Sequence, residues 1–205
     1  MSASEFWNTR YQTDDYIFGT EANDFIKAVT PKAEAGQTAY APADGEGRNG
    51  AYLASIGYQV TSIDVSDLAV AKAVSLAQKT GVIVNAHIGD ALSPGLADQQ
   101  FDLVIVCFMH FMPADHEKFM DVNKRLVKPG GLFIMEGYTI DQIALSSGGP
   151  KKPEMMMSDA GLRKTFADLR KLVKQNGPSI FLQFIVVRRN SPKGTWFMIR
   201  SRCSG

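Results

Sequence analysis

The sequence predicts an α/β fold: a single three-layer domain on a mostly parallel, seven-stranded sheet, with an antiparallel C-terminal hairpin strand. Three observations predict it. Residues 39–64 read as strand, glycine turn, helix, strand and terminal acid, the opening unit of a nucleotide-type fold. From Thr38 the apolar pattern alternates between strand and helix, and the run 101–108 is almost continuously apolar, as suits a parallel strand buried on both faces. Late in the chain, two β-rich runs, 180–188 and 195–202, are joined by Asn190-Ser191-Pro192-Lys193-Gly194, a link of hairpin length and composition.

The elements follow in order. Residues 1–30 form a cap segment, in which Phe6, Trp7, Arg10 and Tyr11 fall on one side of a helix. Asp14-Asp15 and Gly19 interrupt the pattern, and 23–29 resumes it. Two readings are open for this segment. Its aromatics pack on the core, or it closes over a site where Trp7 and Tyr11 exclude water. The α/β core occupies 36–205. A helix over 47–56 follows the glycine turn, and a strand over 58–63 stops at Asp64. Ser66 is placed to cap the next helix, with Ala69, Ala73, Leu76 and Ala77 on its inner face and Thr80-Gly81 at its end. A third strand, 82–88, closes at Gly89-Asp90. A helix over 113–127 is stopped by Lys128-Pro129-Gly130-Gly131, and a fifth strand begins at Leu132. The loop 139–158 is long for a plain connection, and such loops are often binding loops or lids. Its Met155-Met156-Met157 either lines a soft apolar pocket or simply packs. A last helix covers 158–172, although 169–173 reads equally as a strand.

Bulk properties narrow the function classes. A chain of 205 residues favours one domain, and 45% hydrophobic with 21% charged residues is ordinary for a globular protein. The formal net charge of +1 gives no global field for nucleic acid or an anionic membrane. Cys107 and Cys203 are too few for a disulfide framework. His87, His110 and His116 lack zinc-site spacing, so no metal is expected. The first ten residues hold no apolar signal region, and no apolar run approaches the roughly 20 residues of a spanning helix. A cytoplasmic monomer or homodimer is the expectation.

Gly45, Gly47 and Gly50 satisfy G-x-G-x-x-G, a weak signal alone. Asp64 strengthens it, standing 19 residues after Gly45 at the end of the second strand, where a ribose acid belongs. Asp90 follows the third strand, at the same carboxyl edge. The closing hairpin leaves no residues for a second mononucleotide-binding half.

Taken together, Phe6-Trp7-Asn8-Thr9-Arg10-Tyr11, Gly45-Glu46-Gly47-Arg48-Asn49, 60–64, Gly89-Asp90, 101–113 and 128–138 resemble class I S-adenosylmethionine-dependent methyltransferases. Within them the chain is similar to the small group related to tellurite-resistance and thiopurine (thiol) methyltransferases, over about residues 5–166. The resemblance implies a Rossmann-like fold and S-adenosylmethionine as cofactor, with S-adenosylhomocysteine as product. It implies a small-molecule substrate, with a sulfur or other chalcogen nucleophile that needs little help from a base. The cofactor's methionine part would lie over Gly45 and Gly47, flanked by Asp44 and Arg48. Asp64 and Val65 would meet the ribose, Asp90 and the Ala91 amide the adenine, and Phe108 the methyl-transfer face. Arg48 would hold the cofactor carboxylate or pair with Asp44 or Glu46. Tyr11 and His110 are the catalytic candidates, the latter as a base or as a ring bonded to backbone. One departure stands out: the family's acid four residues before Gly45 is Ala41 here, and its glycine two before is Ala43. An alanine forced to positive φ costs of order 1 kcal/mol. Two other function classes therefore stay open, a non-catalytic binding protein on this scaffold and a nicotinamide-dependent oxidoreductase.

Overall fold

The structure is a computed structural model that describes residues 1–96, 99–145, 148–166, 181–188 and 196–198. The chain divides into two compact units, Met1–Phe101 and Asp102–Gly205.

In the first unit, β1 (Thr38–Pro42), β2 (Gln59–Asp64) and β3 (Val84–Ile88) lie parallel, with β2 between the other two. Ala39 stands opposite Val60, and Val60 opposite Val84, so all three strands end on one rim. The crossovers are α3 (Arg48–Ser55) and α4 (Asp67–Lys79). Two helices precede them, α1 (Ala3–Tyr11) and α2 (Asp24–Val29). Ser2 and Glu5 form a reciprocal capping box at the start of α1. Ser66 Oγ accepts from the Ala69 N–H and starts α4, whose Ala69, Ala73, Leu76 and Ala77 are buried as the periodicity predicts. Tyr40, Leu53, Val60 and Ile63 complete this core. Burying a side chain such as Leu53 contributes about 2 kcal/mol.

The second unit holds most of β4 (Phe101–Cys107), then α5 (Pro113–Arg125), β5 (Val127–Tyr138) and α6 (Asp159–Thr165). The backbone of β6 (Phe181–Arg188) runs antiparallel to β5, with Val187 opposite Leu132. Three residues of β7 (Trp196–Met198) pair antiparallel with β6. The link 189–195 and the ambiguous segment 169–173 lie outside the described residues. One boundary differs from the sequence reading. Lys128-Pro129-Gly130-Gly131 does not precede β5 but lies within it. Gly130 takes φ +84°, and a Cβ on Gly131 would meet Asp102 O at 2.9 Å, so two glycines let the strand continue past a proline.

Candidate active site

The three glycines of the first turn have separate physical reasons. Gly45 takes φ +58°, and a Cβ there would lie 2.8 Å from the Tyr11 hydroxyl. Gly47 takes φ +85° at the N-cap of α3, where a Cβ would come within 2.5 Å of Ala73 Cβ on α4. At Gly50 a Cβ would meet Asp44 Oδ2 at 2.5 Å. That approach exists because the Gly50 N–H donates to the same oxygen at 3.0 Å. Gly47 has no side chain with which to cap α3, so Asp44 supplies the cap from three residues earlier. Ala43 is held at φ +50°, the strained alanine that the departure from the family pattern predicts.

Asp64 locks this turn to β2. Its Oδ2 accepts from the Gly45 N–H at 2.9 Å, and its Oδ1 from the Ser66 N–H at 3.0 Å. Burial outweighs these bonds and the added pull of the Val65 amide, and raises the carboxyl above its usual range. A carboxylate has roughly four acceptor positions, and backbone donors take most of Asp64's. One acceptor position remains open without breaking the lock. Asp90 follows β3 on the same rim, where its Oδ1 accepts from the Leu92 N–H at 2.8 Å and Ala91 is buried behind it.

The Asp44 carboxyl is pushed up to about 8, by burial first and by the charge of Asp64 among the lesser causes, against the pull of the Gly50 N–H and of Arg48. Glu46 is also buried, with Oε1 paired to Lys72 Nζ at 2.8 Å. One oxygen of each acid, Asp44 Oδ1 and Glu46 Oε2, is sealed from solvent with no partner among the described residues.

The cap segment is tied to this rim by polar contacts that sequence reasoning missed. Asn8 donates to Asp67 Oδ1 at 2.6 Å and accepts from Ser66 Oγ. Tyr16 donates its hydroxyl to Lys72 O at 3.0 Å, and Lys72 Nζ donates to Asp15 O at 2.8 Å. Arg48 Nη1 donates to Phe18 O at 3.0 Å, and Asn49 Oδ1 accepts from the Asn23 N–H at 3.0 Å. Arg48 therefore does not pair with Asp44 or Glu46; its guanidinium tethers the cap. Tyr11 is buried, stacked on Trp7 at 5.5 Å, while Phe6 is exposed on the outer side. Burial and then the charges of Asp64 and Glu46 push its phenol well up, so it is a hydrogen-bond donor at neutral pH and not a base.

His110 and Phe108 belong to the second unit. The Tyr138 N–H donates to His110 Nε2 at 3.1 Å, which leaves Nδ1 as the protonated nitrogen facing Met155 O at 3.0 Å. Both ring nitrogens are committed to backbone, so of the two readings of His110 the structure favours the backbone strut over the general base. Phe108 takes φ +55°, a rare conformation for an aromatic residue, with its ring 4.7 Å from that of Tyr138. Met157 packs over Gly137 and is buried, whereas Met155 and Met156 are half-buried. No cluster of metal-ligating side chains exists among the described residues.

Residues 42–135, from the end of β1 into β5, match a known protein family. The match is to a methyltransferase domain. An uncharacterized methyltransferase of Schizosaccharomyces pombe is 36% identical over 74 residues, which make up 35% of this chain and 51% of that relative. The chain thus spans about half the length of the curated relatives it matches. Among solved structures, a protein of Pyrococcus horikoshii OT3 superposes with a TM-score of 0.62 at 20% identity, over 73% of this chain and 80% of its own. Magnesium protoporphyrin IX methyltransferase from Synechocystis PCC 6803, with bound SAH, gives a TM-score of 0.58 at 17% identity, over 75% of this chain and 74% of its own. These likenesses show the Rossmann-like α/β fold. The methyltransferase-domain match begins at Pro42, so it takes in the turn, both rim acids and the start of β5.

Proposed function

We propose that this chain is an S-adenosylmethionine-dependent methyltransferase acting on a small molecule, with a thiol or another soft chalcogen as nucleophile. The observation that carries the reading is the rim inside the methyltransferase-domain match. It presents a glycine turn, a buried acid at the end of β2 and a second acid after β3. The fit of a cationic cofactor is supported by the turn's electrostatics: Asp44 Oδ1 is buried there with no hydrogen-bond partner among the described residues. The open acceptor position of Asp64 suits a ribose hydroxyl. Asp90 and the Ala91 amide stand where an adenine edge would be read.

S-adenosylmethionine, when bound, supplies the activated methyl group, so the protein's work is to position and to exclude water. Tyr11 covers the turn from the cap side, with Trp7 stacked on it. The soft-nucleophile assignment draws support from the commitment of His110 and the donor state of Tyr11, which leave neither to act as a base. Turnover of S-adenosylmethionine to S-adenosylhomocysteine against a panel of thiols, alcohols and amines tests the reading. Thiols should react fastest, and Asp64→Asn should weaken S-adenosylhomocysteine binding at least tenfold. Full binding by that variant would remove the site assignment.

A second reading is a non-catalytic binding protein. It is favoured by Ala41, and by the Tyr11 hydroxyl resting against Gly45 where the ligand tail would lie. Ligand binding without turnover of any acceptor in the panel would select it.

A further inference from the structure

The position at which the family pattern has an acid before the turn is Ala41, which is 1% exposed and carries no polar group. A ligand ammonium arriving there would find no charged acceptor on β1. The turn itself offers one. Asp44 Oδ1 is excluded from solvent and has no hydrogen-bond partner among the described residues, an unfavourable state for a buried polar atom. Glu46 shares this feature but already holds Lys72. Asp44 forms no such ion pair among the described residues. Its Oδ2 is occupied by the Gly50 N–H, and Arg48, the cation that acts on it, spends Nη1 on the Phe18 carbonyl. The groups that bear on Asp44 from the surrounding elements are Asp64 on β2, Arg48 on α3 and the Tyr11 phenol on α1.

A helix cap alone does not account for a carboxylate here. Asparagine or serine would accept from Gly50 equally well without a buried acid. We propose that Asp44 Oδ1 is the seat of the cofactor's α-ammonium group, replacing the missing acid at Ala41 from three residues further along the chain. The proposal rests on the methyltransferase reading. It has a thermodynamic consequence. The free protein holds the Asp44 carboxyl protonated at pH 7, because burial keeps it up at about 8. An ammonium favours the ionised form. Loading therefore turns a carboxyl and an ammonium into a carboxylate–ammonium pair, and the carboxyl proton leaves to solvent.

The experiment is calorimetry on the full chain at pH 7, in phosphate and in Tris, whose ionisation enthalpies differ. Two ligands are used: S-adenosylhomocysteine, and 5′-methylthioadenosine, which keeps the nucleoside and lacks the amino-acid tail. Wild type is expected to release close to one proton per S-adenosylhomocysteine bound and none per 5′-methylthioadenosine. Asp44→Asn, which keeps the cap, should weaken S-adenosylhomocysteine tenfold or more, abolish the proton release and leave 5′-methylthioadenosine within about twofold. Asp44→Ser repeats the test should the first variant fold poorly. Unchanged S-adenosylhomocysteine affinity, an equal loss for both ligands, or no proton release by wild type would overturn the role of Asp44 while leaving the nucleoside site intact. Failure of both ligands to bind wild type would instead remove the methyltransferase reading, and this proposal with it.

Discussion

At the scale of single residues, the turn trades stability for chemistry, and three substitutions expose the trade. Ala43 sits at φ +50°, so Ala43→Gly should stabilise the protein by about 1 kcal/mol, read as a rise in the denaturation midpoint. Asp44 has a second signature besides ligand binding. Its carboxyl titrates near 8 in the folded chain but near the ordinary carboxylate range when unfolded, so the folded form binds the extra proton in between. Its contribution is therefore lost as pH rises from about 4 to 8. Asp44→Asn should be the more stable protein at pH 8, with its advantage over wild type shrinking toward pH 5; melting curves at four pH values check this. His110 runs the other way. Burial lowers its pKa, so the unfolded chain binds the extra proton and stability is lost as pH falls below about 6.5. His110→Ala should cost about 2 kcal/mol at pH 7.5 by orphaning the Tyr138 N–H, and it should lose less than wild type on acidification. Asp44, Asp64 and His110 were visible in the sequence as chemistry-bearing residues. Their partners were not, because Gly50, Ser66, Tyr138 and Met155 engage them through backbone groups, which every residue type possesses.

At the scale of elements, the sequence reading worked where the signal is local. The Ser66 cap and the inner face of α4 follow from periodicity, and the rim follows from the order of strand, turn and acid. It failed at β5, where a proline and two glycines read as a stop although the strand runs through them. It also left the cap segment ambiguous, because the contacts that settle its place join residues far apart: Asn8 to Ser66 and Asp67, and Arg48 to Phe18. These bonds make Arg48-Asn49 a clasp for the segment that precedes it. Asn49→Ala should leave α3 formed, cost about 1 kcal/mol, and raise amide hydrogen exchange across residues 3–23. A helix-to-helix contact gives a sharper contrast. Gly47→Ala meets both a left-handed φ and Ala73 Cβ, whereas Gly81→Ala, also at positive φ, meets no atom within 4 Å. The first should cost about 3 kcal/mol and the second about 1. Equal costs would mean that α3 and α4 separate freely at the turn.

At the scale of the whole molecule, a net charge of +1 provides no strong global field, and the choice of an acceptor under the proposed reading would rest on a few side chains. What the cofactor reading demands of the whole chain is linkage. A ligand that binds only the folded form at 100 times its Kd adds about 2.7 kcal/mol. For a chain of this size each kcal/mol moves the melting temperature by roughly 2–4 °C. S-adenosylhomocysteine at that excess should therefore raise the midpoint by about 5–10 °C, and NAD should leave it unmoved. The gain should also be local in origin. Hydrogen exchange with S-adenosylhomocysteine present should slow at 43–50, 64–66 and 90–92, the three places where the rim acids anchor backbone turns. Protection spread evenly over the chain would reflect general stabilisation by the ligand. Protection confined to those three segments would identify the turn, the end of β2 and the start of the loop after β3 as one binding surface. A shift with NAD but not with S-adenosylhomocysteine would return the glycine spacing to its other meaning, a nicotinamide site, and would take the roles of Asp64 and Asp90 with it.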